Sequence, residues 1–345
     1  MNRFLPFLTA ALSLTMIGPA LAADRVALVI GVDEYKNLPP EAQLRVAASD
    51  ATLMAQTLES LNPPFDVTLL TNVSQDNAER ALDTFVGKAE GAECALVYFA
   101  GHGIEFHGEN YLLVSDTNIS AKPDEGVRRV KDRLYYESLS LHKLMEDLNE
   151  TGANLQLVIL DACRDNPLEI EAPNGTRSIM GSQGGLGRVN APSGMLISYS
   201  ADAGQQANDG LFTSILAAQL KTPGSTLMEV FAQTRLEVRK QATVLQAEGK
   251  GVLHEPAEYS KLEPSALRFS FVKGDGNPRP APSLASTPMV DRQPSEFQSQ
   301  KVIETKIPGS DQCNQYADLQ QKTPCCGRLP SVSSMHGCLE DHRGH

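Results

Sequence analysis

The sequence predicts an α/β fold built on a mostly parallel β-sheet with helices on both faces. Two observations lead to this prediction. Between Arg25 and about Phe271, short apolar blocks alternate with longer segments whose apolar residues recur at helical spacing. Strands of a parallel sheet are buried on both faces and therefore read as continuous apolar runs, and the connection between two such strands is usually a helix.

These patterns give five strands and five helices. The predicted strands cover residues 26–31, 65–70, 94–99, 155–160 and 195–199. The predicted helices cover residues 47–61, 75–90, 138–149, 211–220 and 226–246. In an open α/β sheet, functional groups gather at the carboxyl ends of the strands. The residues that follow the third and fourth strands are therefore the best candidates for a site.

Two motifs stand at these strand ends, Ala100-Gly101-His102-Gly103 and Asp161-Ala162-Cys163-Arg164-Asp165. Glycines on both sides of His102 let the backbone approach a substrate closely. A cysteine thiol has an ordinary pKa of about 8.5 and becomes a strong nucleophile when an imidazole takes its proton. Either residue alone is better explained as a core thiol or a structural histidine. The two together at neighbouring strand ends indicate nucleophilic catalysis.

Residues 1–22 are predicted to form a signal peptide. Arg3 provides a positive charge, residues 4–17 are almost wholly apolar, and Ala20-Leu21-Ala22 is a small-x-small cleavage site. An uncleaved membrane anchor is the alternative, but the apolar run is shorter than the ~20 residues that span a bilayer. We therefore expect cleavage after Ala22 and a secreted or periplasmic protein with no membrane segment after signal removal.

Composition and charge divide the rest of the chain. The formal net charge is −12, which offers no electrostatic basis for binding nucleic acid and would instead attract basic peptides. A globular domain is predicted at residues 23–273. Residues 274–311 are rich in Pro, Ser, Gln and Asn and are predicted to be a disordered linker, followed by a small cysteine-bearing tail at residues 312–345.

The two motifs and their flanks resemble those of the caspase-like superfamily, specifically its bacterial metacaspase-like members. The histidine motif is Tyr98-Phe99-Ala100-Gly101-His102-Gly103, and the cysteine motif is Leu160-Asp161-Ala162-Cys163-Arg164-Asp165-Asn166-Pro167. Further similar positions are Gly31, Tyr35, Ala48-Ser49-Asp50-Ala51, Asn110-Tyr111-Leu112-Leu113, Ile197-Ser198-Tyr199-Ser200 and Gly210-Leu211-Phe212-Thr213. The resemblance covers residues 25–271 and implies a caspase-like fold with cysteine peptidase activity.

The resemblance implies a role for each residue of the two motifs. His102 would act as the general base and later as the acid, and Cys163 would be the nucleophile. The backbone N–H groups of Gly103 and Cys163 would hold the oxyanion. This arrangement is a dyad, and the sequence identifies no third residue that orients the imidazole. No cofactor is implied.

The resemblance also implies an acidic substrate pocket. Asp161 and Asp50 would receive an Arg or Lys side chain of a peptide or protein substrate through charge-assisted hydrogen bonds, and Asp202 would add a third wall. Each of the first two has a structural alternative. Asp161 would then be an acid at a strand end, and Asp50 would be an N-terminal cap of a helix.

Some residues depart from the family pattern. Arg164 stands where many metacaspases carry a histidine, and Ala47 and Ala100 replace small polar residues often found near the pocket. Some relatives bind calcium through clustered aspartates. The acidic residues near the corresponding loop are Asp165, Glu169 and Glu171. Calcium is usually bound by about six to eight oxygen ligands, and these three residues do not supply a full set. We therefore predict a solvated acidic loop and no metal.

The remaining cysteines form two groups. Cys94 opens a predicted strand and is expected to be a core thiol. The tail contains four cysteines, Cys313, Cys325, Cys326 and Cys338. We expect them to form two disulfides, and the sequence does not decide between the three ways to pair four cysteines. A metal site that combines these thiolates with His336, His342 or His345 is the alternative, although no Cys-x-x-Cys pair is present.

A segment between the cysteine motif and the last predicted strand could be cut by the protein itself. Residues 172–193 are rich in Gly, Ser and Asn, with Arg177 and Arg188 as their only basic residues. A pocket that favours basic side chains could cleave after either arginine. An uncut surface loop is the alternative.

Two functions of different classes follow from these observations. The first is an endopeptidase that cleaves after Arg or Lys, and the second is a catalytically idle caspase-like module that binds peptides or partners. The presence of both His102 and Cys163 favours the enzyme. A dinucleotide-dependent oxidoreductase is disfavoured, because no Gly-x-Gly-x-x-Gly follows the first strand.

Overall fold

The computed structural model describes residues 24–118, 126–163, 186–202 and 207–274. The chain divides into two units, Met1–Ala281 and Pro282–His345, and every described residue belongs to the first. The predicted signal peptide, nearly all of the predicted linker and the cysteine-bearing tail lie outside the described residues. Within the described ranges, no helix is both long enough and apolar enough to cross a membrane.

Strands and helices alternate along the described part of the chain. The strands are β1 Arg25–Gly31, β2 Asp66–Thr71, β3 Cys94–Phe106, β4 Glu109–Leu112, β5 Leu139–Ser140, β6 Leu155–Cys163, β7 Met195–Tyr199 and β8 Ala257–Ser260. The α-helices are α1 Ala47–Ser60, α2 Gln75–Ala89, α3 Val127–Glu137, α4 Leu141–Glu150, α5 Leu211–Leu220 and α6 Leu227–Ala247. Short 3-10 helices cover Pro40–Ala42 and Ala266–Arg268.

The central sheet has the strand order β2-β1-β3-β6-β7-β8. The strands from β2 to β7 in this order are parallel, and β8 joins the edge of the sheet antiparallel to β7. β4 pairs antiparallel with the last part of β3, and β5 pairs with β4. The prediction of a mostly parallel sheet is confirmed.

Helices cover both faces of the sheet because its strands are apolar on both faces. In β1, Val26, Leu28 and Ile30 belong to the core cluster that contains residues of α2 and α4. Ala27 and Val29 belong to a second cluster with residues of α1, α5 and α6. Successive side chains of a strand point to opposite faces, so one uninterrupted apolar run contributes to two cores.

Some element boundaries differ from the prediction. The sequence predicts an end of the third strand at Phe99, but β3 continues to Phe106 because its second part pairs with β4. A helix is predicted from residue 138, but α4 begins at Leu141 because the Ser140 hydroxyl accepts a hydrogen bond from the backbone N–H of Lys143 and caps the helix. The patterns do not predict α3, β4, β5 and β8, which are short or polar.

Asp33 fixes the start of α1, the helix that carries Asp50. The N-cap residue Val46 provides no side-chain hydrogen bond. Instead, the two carboxylate oxygens of Asp33 accept hydrogen bonds from the backbone N–H groups of Ala47 at 2.8 Å and Ala48 at 3.2 Å. Its negative charge is also favourable beside the positive end of the helix dipole. The loop after β1 and the first turn of α1 are therefore held together.

We expect Asp33→Ala to lower the free energy of unfolding by about 1–2 kcal/mol, the usual effect of losing a helix cap. Asp33→Asn is the matched control, since it keeps one oxygen acceptor and should lose less. Urea unfolding followed by circular dichroism at a fixed pH measures both variants. A wild-type stability for Asp33→Ala would show that the carboxylate does not cap α1.

Candidate active site

The two sequence motifs lie on adjacent strands. β3 and β6 are parallel, and their register pairs His102 with Cys163, Gly101 with Ala162 and Ala100 with Asp161. Neighbouring strands are about 4.8 Å apart, so the backbones of His102 and Cys163 are direct lateral neighbours. The predicted proximity of the two strand ends is confirmed. Cys163 is the last residue of β6, and its side chain lies outside the described atoms.

The loop after β1 holds His102 from two directions. The side chain is buried, and its Nε2 atom lies 2.7 Å from the carbonyl oxygen of Ala42. A carbonyl only accepts, so Nε2 carries a proton and the basic nitrogen of the neutral ring is Nδ1. The backbone N–H of His102 donates to the Tyr35 hydroxyl at 2.7 Å. The two ring centroids are 4.8 Å apart.

The orienting carbonyl of Ala42 is a functional group that the sequence analysis missed. Every residue type has a backbone carbonyl, so no residue pattern marks this one. The similarity of Tyr35 to the family pattern was a partial signal, because this residue lies in the same loop. The folded chain brings the Ala42 carbonyl beside the imidazole of His102, and the local sequence does not predict this contact.

The glycines beside His102 make room for protein side chains. Gly101 has a φ of +155°, and a Cβ on it would lie 2.8 Å from the Tyr35 hydroxyl oxygen. A Cβ on Gly103 would lie 2.7 Å from Cγ of Leu186. The predicted reason for these glycines was a close approach of substrate. The structure shows that the neighbouring space is occupied by Tyr35 and Leu186.

The backbone N–H of Gly103 points toward the side of β3 on which Cys163 lies. The carbonyl oxygen of His102 accepts a hydrogen bond from the backbone N–H of Leu113 at 2.9 Å, so this carbonyl points toward the segment that follows β4. Backbone groups of successive strand residues point to opposite edges. Since β6 occupies the other edge of β3 as far as His102, the N–H of Gly103 is directed to that edge.

A cavity of about 390 Å³ opens beside these strand ends. Asp50 from α1 and Asp161 from β6 both line it, as do Ala47 and Ala100. The charged residues that line it are Glu41, Arg45, Asp50, Asp161 and Asp209. The described wall of the cavity therefore carries an excess of negative charge.

Burial strongly affects the two carboxyl groups at the base of this cavity. The pKa of Asp50 is raised to about 7, first by burial and then mainly by the carboxylates of Asp161 and Asp209. The pKa of Asp161 is also raised by burial, although the hydrogen bond from the Thr213 hydroxyl opposes the shift. The Thr213 bond is 2.6 Å long. A cation bound here would favour the ionised carboxylates and release protons.

The structural alternatives for these two residues have different outcomes. The alternative for Asp50, a helix cap, is wrong because Asp33 caps α1 and the backbone N–H of Asp50 bonds to Val46 within the helix. Asp161 has features of both interpretations. It accepts a hydrogen bond from Thr213 at the end of β6 and also lines the cavity.

The structure places Asp202 apart from the other two acids. Asp202 forms an ion pair with Arg188 at 3.6 Å and accepts a hydrogen bond from the Tyr259 hydroxyl at 3.4 Å. These residues line a second cavity of about 400 Å³. The described wall of the Asp50–Asp161 cavity does not include Asp202. Asp209, which the sequence analysis did not single out, lies there instead.

Several predicted features fall outside the described residues. These are Arg164, the acidic loop with Asp165, Glu169 and Glu171, the possible cleavage site Arg177, and the four tail cysteines. Arg188 is described and pairs with Asp202, outside the cavity that holds Asp50. Among the described residues, no group of His, Cys, Asp and Glu could hold a metal ion. Cys94 is free and buried in the core, as predicted.

Two curated proteins are similar to part of this chain. The human mucosa-associated lymphoid tissue lymphoma translocation protein 1 is 30% identical over 144 residues, which are 42% of this chain and 15% of the human protein. Its mouse homologue is 30% identical over 147 residues, which are 43% of this chain and 16% of the mouse protein. The match thus spans a small part of each relative.

Solved caspase structures are also similar. The Drosophila initiator caspase Dronc is 12% identical, and the match covers 72% of this chain and 80% of that chain with a TM-score of 0.45. Caspase-1 from Spodoptera frugiperda is 15% identical, and the match covers 78% of this chain and 99% of that chain with a TM-score of 0.48.

The family model of the caspase domain, Peptidase_C14, matches residues 24–266. This range includes every strand of the sheet, both motifs and the acidic cavity. The chain therefore belongs to the caspase-domain family, whose members are cysteine peptidases.

Proposed function

We propose that this protein is an exported cysteine endopeptidase that uses Cys163 as nucleophile and His102 as general base, and that cleaves after Arg or Lys. The observation that carries the proposal is the register of β3 against β6, which sets His102 beside Cys163 and Ala100 beside Asp161. The catalytic pair and the acidic cavity therefore share one edge of the sheet. Export to the periplasm or the medium rests on the predicted signal peptide at residues 1–22.

In the proposed mechanism, Nδ1 of His102 takes the proton of the Cys163 thiol while Nε2–H stays bonded to Ala42. The thiolate attacks the carbonyl carbon of the scissile peptide bond. The N–H groups of Gly103 and Cys163 stabilise the negative oxygen of the tetrahedral intermediate. The imidazolium then protonates the leaving amine, and water hydrolyses the acyl-enzyme. The direction of the Gly103 N–H, toward the side of Cys163, supports this oxyanion assignment.

The proposed specificity follows from the cavity. A guanidinium or ammonium group of the substrate would lie near Asp50 and Asp161, whose raised pKa values show that the free protein stabilises their charges poorly. A cation compensates that deficit, whereas an acidic side chain would add a like charge. Among common side chains, only Arg and Lys combine a fixed positive charge with the length needed to enter a cavity.

We expect Cys163→Ala and His102→Ala to lower kcat by at least about a thousandfold, because each removes one member of the pair that forms the thiolate. Hydrolysis of a fluorogenic Arg peptide measures turnover, and a thermal melt checks that each variant is folded. Cys94→Ala is the matched control, since Cys94 is a buried core thiol of the same sheet.

Full turnover by purified Cys163→Ala would exclude the dyad. Peptide binding without turnover by the wild type would instead favour the idle caspase-like module. The two results are distinguishable, because the first retains activity and the second lacks it.

We expect an Arg substrate to be cleaved at least about a hundredfold better than the matched Asp substrate, since like charges in a poorly solvated cavity are unfavourable by several kcal/mol. Asp161→Asn should lower kcat/KM for the Arg substrate by about ten- to a hundredfold. A measured preference for Asp would refute the specificity.

Asp202→Asn tests whether Asp202 forms a third wall of the substrate pocket. Because Asp202 lines the second cavity, we expect this variant to keep the wild-type kcat/KM. A loss equal to that of Asp161→Asn would show that Asp202 belongs to the substrate pocket.

The affinity for a cation should fall as the pH falls through about 7, the raised pKa of Asp50. Above this pH the carboxyl is ionised and attracts the cation, and below it the carboxyl is neutral. Binding of N-acetylarginine amide to Cys163→Ala separates this effect from chemistry. Its Kd should rise by up to about tenfold per pH unit below pKa, because one proton is released on binding. Asp50→Asn should flatten the profile, and a Kd of the parent variant that is independent of pH would contradict this role of Asp50.

A further inference from the structure

We propose that Tyr35 is a positioning residue for the general base His102, and that the loop from Tyr35 to Gln43 is the device through which it acts. The inference rests on the proposed function, because it assigns a role in the same dyad. Tyr35 is not among the residues of the described cavity wall. The contacts that support its role are those with His102, at the backbone N–H and at the ring.

Tyr35 contacts His102 through both its hydroxyl and its ring. The hydroxyl accepts a hydrogen bond from the backbone N–H of His102 at 2.7 Å and donates one to the carbonyl oxygen of Val32 at 3.0 Å. The ring lies 4.8 Å from the imidazole at an interplanar angle of 42°. Tyr35 is 2% exposed, so these bonds are shielded from water. Gly101 makes this approach possible, since a Cβ there would collide with the hydroxyl.

Gln43 closes the loop that begins at Tyr35. Its side-chain oxygen accepts from the backbone N–H of Tyr35 at 2.7 Å, and its side-chain nitrogen donates to the carbonyl oxygens of Tyr35 at 2.9 Å and Leu38 at 3.0 Å. Ala42, the residue before Gln43, provides the carbonyl oxygen at 2.7 Å from Nε2 of His102. The two ends of the loop are thus tied together where they meet His102.

This geometry gives one short loop control of His102 at its backbone, its ring face and its Nε2 atom. The contact between Nε2 and Ala42 matters most when the ring becomes an imidazolium, because a hydrogen bond from a charged donor is stronger. A carbonyl that is already in place needs no reorganisation at that moment. Losing the Tyr35 hydroxyl should loosen this contact, disfavour the imidazolium, and so disfavour the thiolate of Cys163.

The test measures the pH dependence of iodoacetamide alkylation at Cys163 in the full chain, with the extent of reaction determined by mass spectrometry of the peptide that contains Cys163. Alkylation reports the thiolate and needs no peptide turnover. In Tyr35→Phe, which keeps the ring and removes the hydroxyl, the midpoint should rise by about one pH unit, with an about tenfold lower rate at neutral pH. In turnover assays kcat should fall while KM stays unchanged.

Two further variants complete the comparison. Tyr111→Phe is the matched control, since it removes the hydroxyl of another buried tyrosine and should leave the midpoint unchanged. Gln43→Met keeps the side-chain length but removes the loop closure, and it should raise the midpoint in the same direction as Tyr35→Phe. This second variant tests the inference where Tyr35→Phe is too unstable to measure.

The outcomes separate this inference from the proposed function. If Cys163→Ala or His102→Ala retains full turnover, the dyad itself is wrong, whatever the alkylation midpoint of the wild type. If those two variants are inactive and both Tyr35→Phe and Gln43→Met keep the wild-type midpoint, the dyad stands and the positioning role is overturned. Raised midpoints in these two variants, with a wild-type midpoint in Tyr111→Phe, support the role.

Discussion

The candidate site depends above all on the parallel pairing of β3 with β6. Leu96 pairs with Leu157 and Val97 with Val158, and these neighbouring pairs fill the cores on opposite faces of the sheet. A register shift of one residue would turn every apolar side chain of one strand to the wrong face. The apolar ladder therefore fixes the register, and the same register sets His102 beside Cys163. Packing in the middle of the strands positions the residues at their ends.

The pairing of β1 with the other edge of β3 supplies the second constraint. Gly31 pairs with Ala100, and the backbone N–H of Val32 continues the ladder to the carbonyl oxygen of Ala100 at 2.9 Å. The chain therefore leaves β1 directly beside the histidine motif. From there the same loop delivers Tyr35 and the Ala42 carbonyl to His102 before Asp33 attaches it to α1. The loop that orients the imidazole and α1, the helix that carries Asp50, are thus consecutive in the chain.

Much of the fold was predictable because each buried strand and amphipathic helix leaves a local pattern. The five predicted strands and the five predicted helices all exist, and apart from the end of β3 their ends shift by at most about three residues. The extension of β3 to Phe106 was not predictable from the same pattern, because pairing with β4, and not an apolar run, sustains it. The sequence analysis also missed helix α3, because only Val130 and Leu134 of that helix are buried and its apolar pattern is weak.

The site was predictable to the extent that it consists of distinctive side chains. His102, Cys163, Asp50 and Asp161 belong to recognisable motifs, whereas the Ala42 carbonyl is a backbone group that every residue has. The choice between Asp202 and Asp209 depended on tertiary contacts. Arg188 and Tyr259 hold Asp202 at a second cavity, and the loop before α5 places Asp209 at the first. No spacing rule distinguishes two acids in the same stretch of loop.

The ionised carboxylates of Asp50 and Asp161 in the acidic cavity lower the stability of the folded protein, because burial raises their pKa values. The pKa of Asp50 rises from 3.8 to about 7 on folding, so the folded protein keeps a proton that the unfolded chain loses. The contribution of this group to stability therefore falls as the pH rises from about 4 to about 7 and stays reduced above that range. Burial also raises the pKa of Asp161, and the hydrogen bond that it accepts from Thr213 offsets the shift only in part. Asp33, by contrast, accepts two backbone N–H hydrogen bonds at the start of α1, where a negative charge is favourable beside the helix dipole. A cation that enters the cavity would favour the ionised forms of Asp50 and Asp161, and in the proposed function this cation is the basic side chain of the substrate.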